Sequence, residues 1–223
     1  DVLEFSILVD DVQLGANVTI PLRDDETALG FALAGDTGHL LTTYDGELHL
    51  RTISPQLQTM DDILLDSTFS GEAAIISTGD ESHVVWTRRA LDDTNYIRMT
   101  VSHSVVFNNG QVSQVTDLLE PLRLSQGSYF GLGIAVSGST VAVAGYHRDL
   151  STSGTFQDIT SVFLLTSDSP LDGESWAYSG AVVFDIEIMS DEADPVAIAI
   201  GPESYHVLYQ AQRDDSTGID RLG

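Results

Sequence analysis

The chain is 223 residues long and 42% hydrophobic, enough for one large all-β domain with a sizeable core. Thirty-four aspartates and glutamates stand against nine basic residues, every one of them arginine, for a net charge of -25. That balance excludes a nucleic-acid or anionic-membrane partner, either of which needs a basic surface, and no apolar run is long enough to cross a bilayer.

At the N-terminus, Asp1-Val2-Leu3-Glu4 has neither the basic nor the apolar region of a secretory leader, and the expectation is that a leader has already been removed. Asn17-Val18-Thr19 is a sequon, which makes Asn17 a candidate glycosylation site on a cell exterior. Short apolar or alternating runs then follow at 3–9, 18–22, 31–34, 40–44 and 48–53, and at 73–76, 84–86, 96–101 and 105–107. Further runs lie at 134–136, 140–144, 162–165, 181–188, 196–200 and 207–209. They are short, rich in Val, Ile, Thr and Tyr, and bounded by Gly, Asp, Asn or Ser, which predicts strands. Asn108-Asn109-Gly110 predicts a hairpin turn. Only 60–67 has a helical look, and it is short and acidic. The fold class is all-β.

A short apolar strand, a Gly-containing polar turn and a second apolar strand recur four times: FALAGDTGHLLTTY at 31–44, AAIISTGDESHVVW at 73–86, GIAVSGSTVAVAGY at 133–146 and VAIAIGPESYHVLY at 196–209. A third strand is predicted after three of them, at 47–54, 95–102 and 159–166, the organisation of four-strand propeller blades. Ala, Gly and Ser inside the first strand suit the crowded axis of such a ring. Tyr44, Trp86, Tyr146 and Tyr209 close the second strand, where the gaps are wider. The prediction is a single β-propeller-like domain over 1–223 with about four blades, its repeats centred near 31–54, 73–102, 133–166 and 196–222. Closure is expected through pairing of the 3–9 strand with the last repeat. A β-sandwich or a fragment of a larger propeller is the alternative.

YFGLGIAVSGSTVAVAG at 129–145, with Phe130-Gly131 in place, resembles the FG-GAP blade repeat, and SYHVLY at 204–209 is similar to the sialidase-like, BNR-type repeat. The resemblance implies a propeller. No copy carries the D-x-D-x-D-G calcium loop of FG-GAP blades. In SPLDGESW at 169–176 the Asp172 and Gly173 of an Asp box are adjacent rather than separated. Neither a metal nor a glycosidase activity carries over from these families.

His39, His83 and His206 each fall near the start of a second strand, and Asp36, Asp80 and Glu203 fall in the equivalent turns, so all six are candidate binding residues on one rim. Buried packing histidines and solvated turn carboxylates are the plainer account of the same pattern. Arg88-Arg89 is the basic doublet, fit for a carboxylated sugar. No nucleophile elbow, metal-ligand set or singled-out carboxylate pair is present, so the expectation is a protein that is not an enzyme, with no metal and no cofactor beyond surface potassium, sodium or calcium.

A lysine-free, strongly acidic surface repels itself in dilute buffer and is relieved at molar salt, where the Debye length falls to roughly 3 Å. This composition resembles that of extreme halophiles. With no cysteine there are no disulfides to fix the compartment. The expected function is a non-enzymatic extracellular, cell-surface or virion module, structural or adhesive, with copies of itself or other surface proteins as partners. The alternative is a glycan-binding or glycoside-cleaving propeller.

Overall fold

The structure, a computed structural model, describes residues 2–5, 8–9, 12–13, 18–56, 58–91, 97–119, 122–123, 127–149, 159–184 and 196–209. Asn17 and residues 210–223 therefore lie outside the described residues. The chain opens with a hairpin of β1 (Val2–Phe5) on β4 (Val18–Pro21), inside which β2 (Leu8–Val9) pairs with β3 (Val12–Gln13). The 3–9 segment thus pairs with its own neighbour in sequence rather than with the last repeat. A local hairpin closes a short loop and costs less chain entropy than a ring-spanning pair.

Three antiparallel sheets follow, each built of strands in sequence order. The first is β5 (Thr27–Ala34), β6 (Thr37–Tyr44), β7 (Glu47–Ile53) and β8 (Thr59–Asp66). The second is β9 (Phe69–Thr78), β10 (Glu81–Leu91), β11 (Ile97–Phe107) and β12 (Thr116–Asp117), with β13 (Leu122–Arg123) also on β11. The third is β14 (Gly127–Ser137), β15 (Thr140–Asp149), β16 (Ile159–Ser167) and β17 (Ala177–Phe184). The fourth repeat is present as the hairpin of β18 (Ala197–Ile200) and β19 (Tyr205–Leu208).

The first strands β5, β9, β14 and β18 are neighbours in that order, and an apolar layer lies between each successive pair of sheets. Leu41, Leu48 and Leu50 of the first sheet meet Val84, Trp86 and Val106 of the second. Val85, Met99 and Val101, on the opposite face of that second sheet, meet Tyr129, Leu132, Val143, Phe163 and Leu165 of the third. Phe130, Ala144, Tyr146 and Val162 then meet Val196, with Ile198 and Val207 of the last hairpin beside it. Ile20 covers Leu40 and Ile53 at the other end of the series. Sheets turned face to face around a row of adjoining first strands make a β-propeller-like fold, and a two-sheet sandwich is not formed.

Residues 60–66 of the one segment with a helical look lie in β8, and Ser67 begins the turn after it. Ile63 and Leu65 turn toward the second sheet while Met60 and Leu64 are exposed, a strand alternation that the neighbouring aspartates obscure in the sequence. The Asn108-Asn109-Gly110 turn forms as expected, with Gly110 at φ 79 and the Gly110 N–H donating to the Phe107 carbonyl at 2.9 Å. Crowding along the first strands is real at Gly133, where a Cβ would sit 1.9 Å from the Val196 carbonyl oxygen. Gly138 sits in the next turn at φ 61 with open space around it. Gly133→Ala is therefore expected to lower stability by about 3 kcal/mol or to block folding, and Gly138→Ala by about 1 kcal/mol. Urea unfolding followed by circular dichroism reads the difference.

Candidate functional site

Because the strands alternate in direction, the sheets present two ends. At one end lie the tight turns between first and second strands. Asp36 and Asp80 are exposed in adjoining turns there, joined by a hydrogen bond from the Gly35 N–H to the Gly79 carbonyl at 2.5 Å. Glu203 is exposed in the turn of the last hairpin, and the exposed His206 ring lies 3.0 Å from the Ser204 hydroxyl. The two other predicted rim histidines are inside. His39 is fully buried, its Nδ1 2.7 Å from the Ser82 hydroxyl, which in turn is 2.6 Å from that of Ser77. Among the described residues, no group of three or more histidines and carboxylates could hold a metal ion.

His83 is buried beside a histidine that the sequence reading did not single out. Its Nδ1 is 3.2 Å from His103 Nε2, the rings stack at 5.4 Å, and Trp176 meets His103 edge-on at 5.1 Å. The Glu81 carboxylate is 3.3 Å from His83 Nε2. With Glu81 accepting from His83 Nε2–H, His83 Nδ1 becomes the acceptor for His103 Nε2–H, and both rings are neutral. Burial lowers His39 and His83, the latter against the opposing pull of Glu81. Burial and the neighbouring His83 push His103 down to about 3.

The opposite end carries a different kind of feature. Three of the four first strands, β5, β9 and β14, have a β-bulge near their start: at Leu29, between Phe69 and Ala73, and between Phe130 and Gly133. Bulges re-aim side chains and gather beside active sites. Glu72 sits in the second of them, on the side of β9 that Ala74 turns toward the third sheet, and the Gly131 N–H of the neighbouring bulge donates to its carboxylate. Burial raises the Glu72 carboxyl above the usual range, with the Gly131 N–H working against it. Glu26, beside Arg51, is by contrast held low. β10, β15 and β17 all run toward this same end.

The candidate residues legible in the sequence fall at the turn end or beside it, and Glu72 is not among them. No motif marks it: what distinguishes it is a bulge and a neighbouring blade. Arg88, the first of the basic doublet, lies 3.8 Å from both Asp66 and Asp117 and links the outer strands of two sheets, while Arg89 is exposed.

No protein-family model matches the chain, and no curated protein matches it significantly. Solved structures do share its fold. The GH32 β-fructofuranosidase of Bombyx mori superposes with a TM-score of 0.50 at 14% identity, over 87% of this chain and 42% of that enzyme. An α-L-arabinofuranosidase from Lactobacillus brevis gives a TM-score of 0.50 at 12% identity, over 92% of this chain and 74% of that one. The chain thus spans under half the length of the first of these enzymes. The likeness supports a propeller-like fold but not the FG-GAP or BNR type in particular. It also overturns the expectation that the protein is not an enzyme, because the solved propellers it is similar to are glycosidases. That expectation rested on missing motifs, and a propeller assembles its site from side chains far apart in sequence.

The buried histidines set a pH dependence. Their folded-state values lie below the unfolded value of 6.5, so their contribution is fully present above pH 6.5 and is lost as pH falls toward 3. Urea unfolding is expected to show a loss of up to about 1.4 kcal/mol per pH unit for each such histidine below pH 6.5, with a shallower slope in His103→Gln. A slope unchanged by that substitution would show that His103 is not held neutral.

Proposed function

We propose that this chain is a glycoside-cleaving propeller that works at its bulge end, with Glu72 as the proton donor to the leaving glycosidic oxygen. One observation carries the reading: a carboxyl raised by burial, set in a first-strand bulge of a fold shared with glycosidases. A donor acid must keep its proton near the working pH, and burial is the means by which a protein achieves this. The Gly131 N–H fixes the side chain and holds the rise in check, as suits a group that must also stabilise the carboxylate left after donation. Glycoside hydrolysis also needs a second carboxylate as nucleophile or base. The extracellular or surface setting expected from the charge belongs to this proposal, since polymeric glycans are met there.

The test is hydrolysis of aryl fructofuranosides, arabinofuranosides and xylosides by the 223-residue chain. Turnover is expected, with Glu72→Gln reducing kcat at least about 100-fold while leaving the melting temperature close to the parent's. Because an activated aryl leaving group needs little protonation, the loss should be smaller for a 2,4-dinitrophenyl glycoside than for an unactivated disaccharide. Equal losses on both substrates would remove Glu72 from the role of acid. Binding of these glycans without any turnover would contradict the reading as a whole.

A further inference from the structure

At the turn end, the second and third sheets part to leave a cleft of about 350 Å³, the size range of small-ligand sites. Glu81 and the ring of His83 form one wall, and Ser139 lies in the turn opposite. The floor and far wall come from Ser169, Pro170, Leu171 and Asp172 in the connection between β16 and β17, where Asp172 caps a short 3-10 turn. Two carboxylates therefore share one small cleft, and no arginine lines it. His83 does not neutralise them, since it is paired through Nδ1 with His103 and burial keeps it uncharged. The remaining lining has two distinct characters: the serines offer hydroxyls, while Leu171, 60% exposed, and Pro170 offer an apolar surface.

We propose that this cleft binds a protonated amino sugar, with its ammonium taken by Glu81 and Asp172, its hydroxyls by Ser139 and Ser169, and its C–H face by Pro170 and Leu171. An ammonium gives the two carboxylates of the lining a charge partner that no arginine of the lining supplies. An inorganic ion would leave the apolar wall and the hydroxyls unused, and among the described residues no set of ligands for a metal is present. A protonated amino-hexose ring fits within the volume and carries a charge, hydroxyls and a C–H face to match the three kinds of surface. The cleft lies at the far end of β9 from Glu72, six residues along the strand or roughly 20 Å at 3.3 Å per residue, so the site is independent of any chemistry at the bulge end.

The experiment is a titration of the 15N-labelled chain with glucosamine, N-acetylglucosamine and glucose in about 0.5 M NaCl, which screens unspecific attraction to the acidic surface. The readout is the indole N–H of Trp176, assigned with Trp176→Phe. Trp176 touches His103, which stacks on the cleft-lining His83. Glucosamine is expected to shift this signal saturably, while N-acetylglucosamine and glucose do not. Glu81→Gln and Asp172→Asn should each weaken glucosamine at least tenfold, and Asp45→Asn, at the other end, should not change it. Asp172 is exposed on its turn, so its variant keeps the test sound even if Glu81→Gln disturbs the histidine pair. The proposal is overturned if glucosamine fails to saturate, if the three sugars bind alike, or if Asp172→Asn binds as the parent does.

Discussion

Val84, Val85 and Trp86 are consecutive, fully buried, and face two different neighbours. Everything else in the structure depends on that constraint. A sheet in the middle of the series has no solvent face, so both sides of its strands must be apolar, and the period-2 alternation of a strand supplies a separate layer for each neighbour. Each large side chain buried in these layers contributes on the order of 1.5–3 kcal/mol, which makes the gaps between sheets, not the sheets themselves, the core. The approach of the first strands follows from the same packing. Gly133 leaves room for the Val196 carbonyl because nothing larger than hydrogen fits, and the Val196 N–H donates to Gly131 across the same gap at 2.9 Å.

The charge is disposed around this core in a consistent way. Arg51 is buried and committed to Glu26 at 3.1 Å, the Pro21 carbonyl at 2.9 Å and Thr59 at 2.7 Å. Burial raises Glu26, but the Arg23 N–H, Thr42 and the charges of Arg51 and Arg23 together hold it below the ordinary glutamate range. Arg23 is paired with Asp62. Asp66 receives the Trp86 indole N–H at 2.7 Å and lies near Arg88, tying a carboxylate to the apolar layer between the first two sheets. Arg51 and Arg88 thus serve as ties between elements, while Arg89 and carboxylates such as Asp36, Asp80 and Glu203 stand in water. Two carboxyls depart from the ordinary range in opposite directions: Glu26 where a guanidinium is beside it, Glu72 where only a backbone N–H opposes burial.

The repeat was legible because strand alternation and Gly-containing turns are local. The blocks at 31–44, 73–86, 133–146 and 196–209 coincide with first-to-second strand hairpins, and the third strands fall where the spacing put them. β8 was less legible, because it borders one sheet only and its exposed face is acidic. The surroundings of the candidate site residues were not readable, for a different reason. A histidine near a strand start looks the same whether it lies on a rim or between sheets; His39 and His83 are inside because Ser82 and His103, 43 and 20 residues away, face them. Glu72 gains its meaning from a bulge and from Gly131, neither of which has a sequence signature. A fold built by repetition is written in the chain, whereas a site built between repeats is not.

The proposed chemistry depends on the difference between the two ends, and above all on the protonation of Glu72. The most direct measurement is the titration of its side-chain carboxyl carbon by NMR, with the signal assigned by its loss in Glu72→Gln. A midpoint clearly above about 4.3, the ordinary glutamate value, is the predicted result. A midpoint at or below that value would contradict the account, because the bulge would then hold an ordinary carboxylate and the proposed chemistry at that end would have no proton donor.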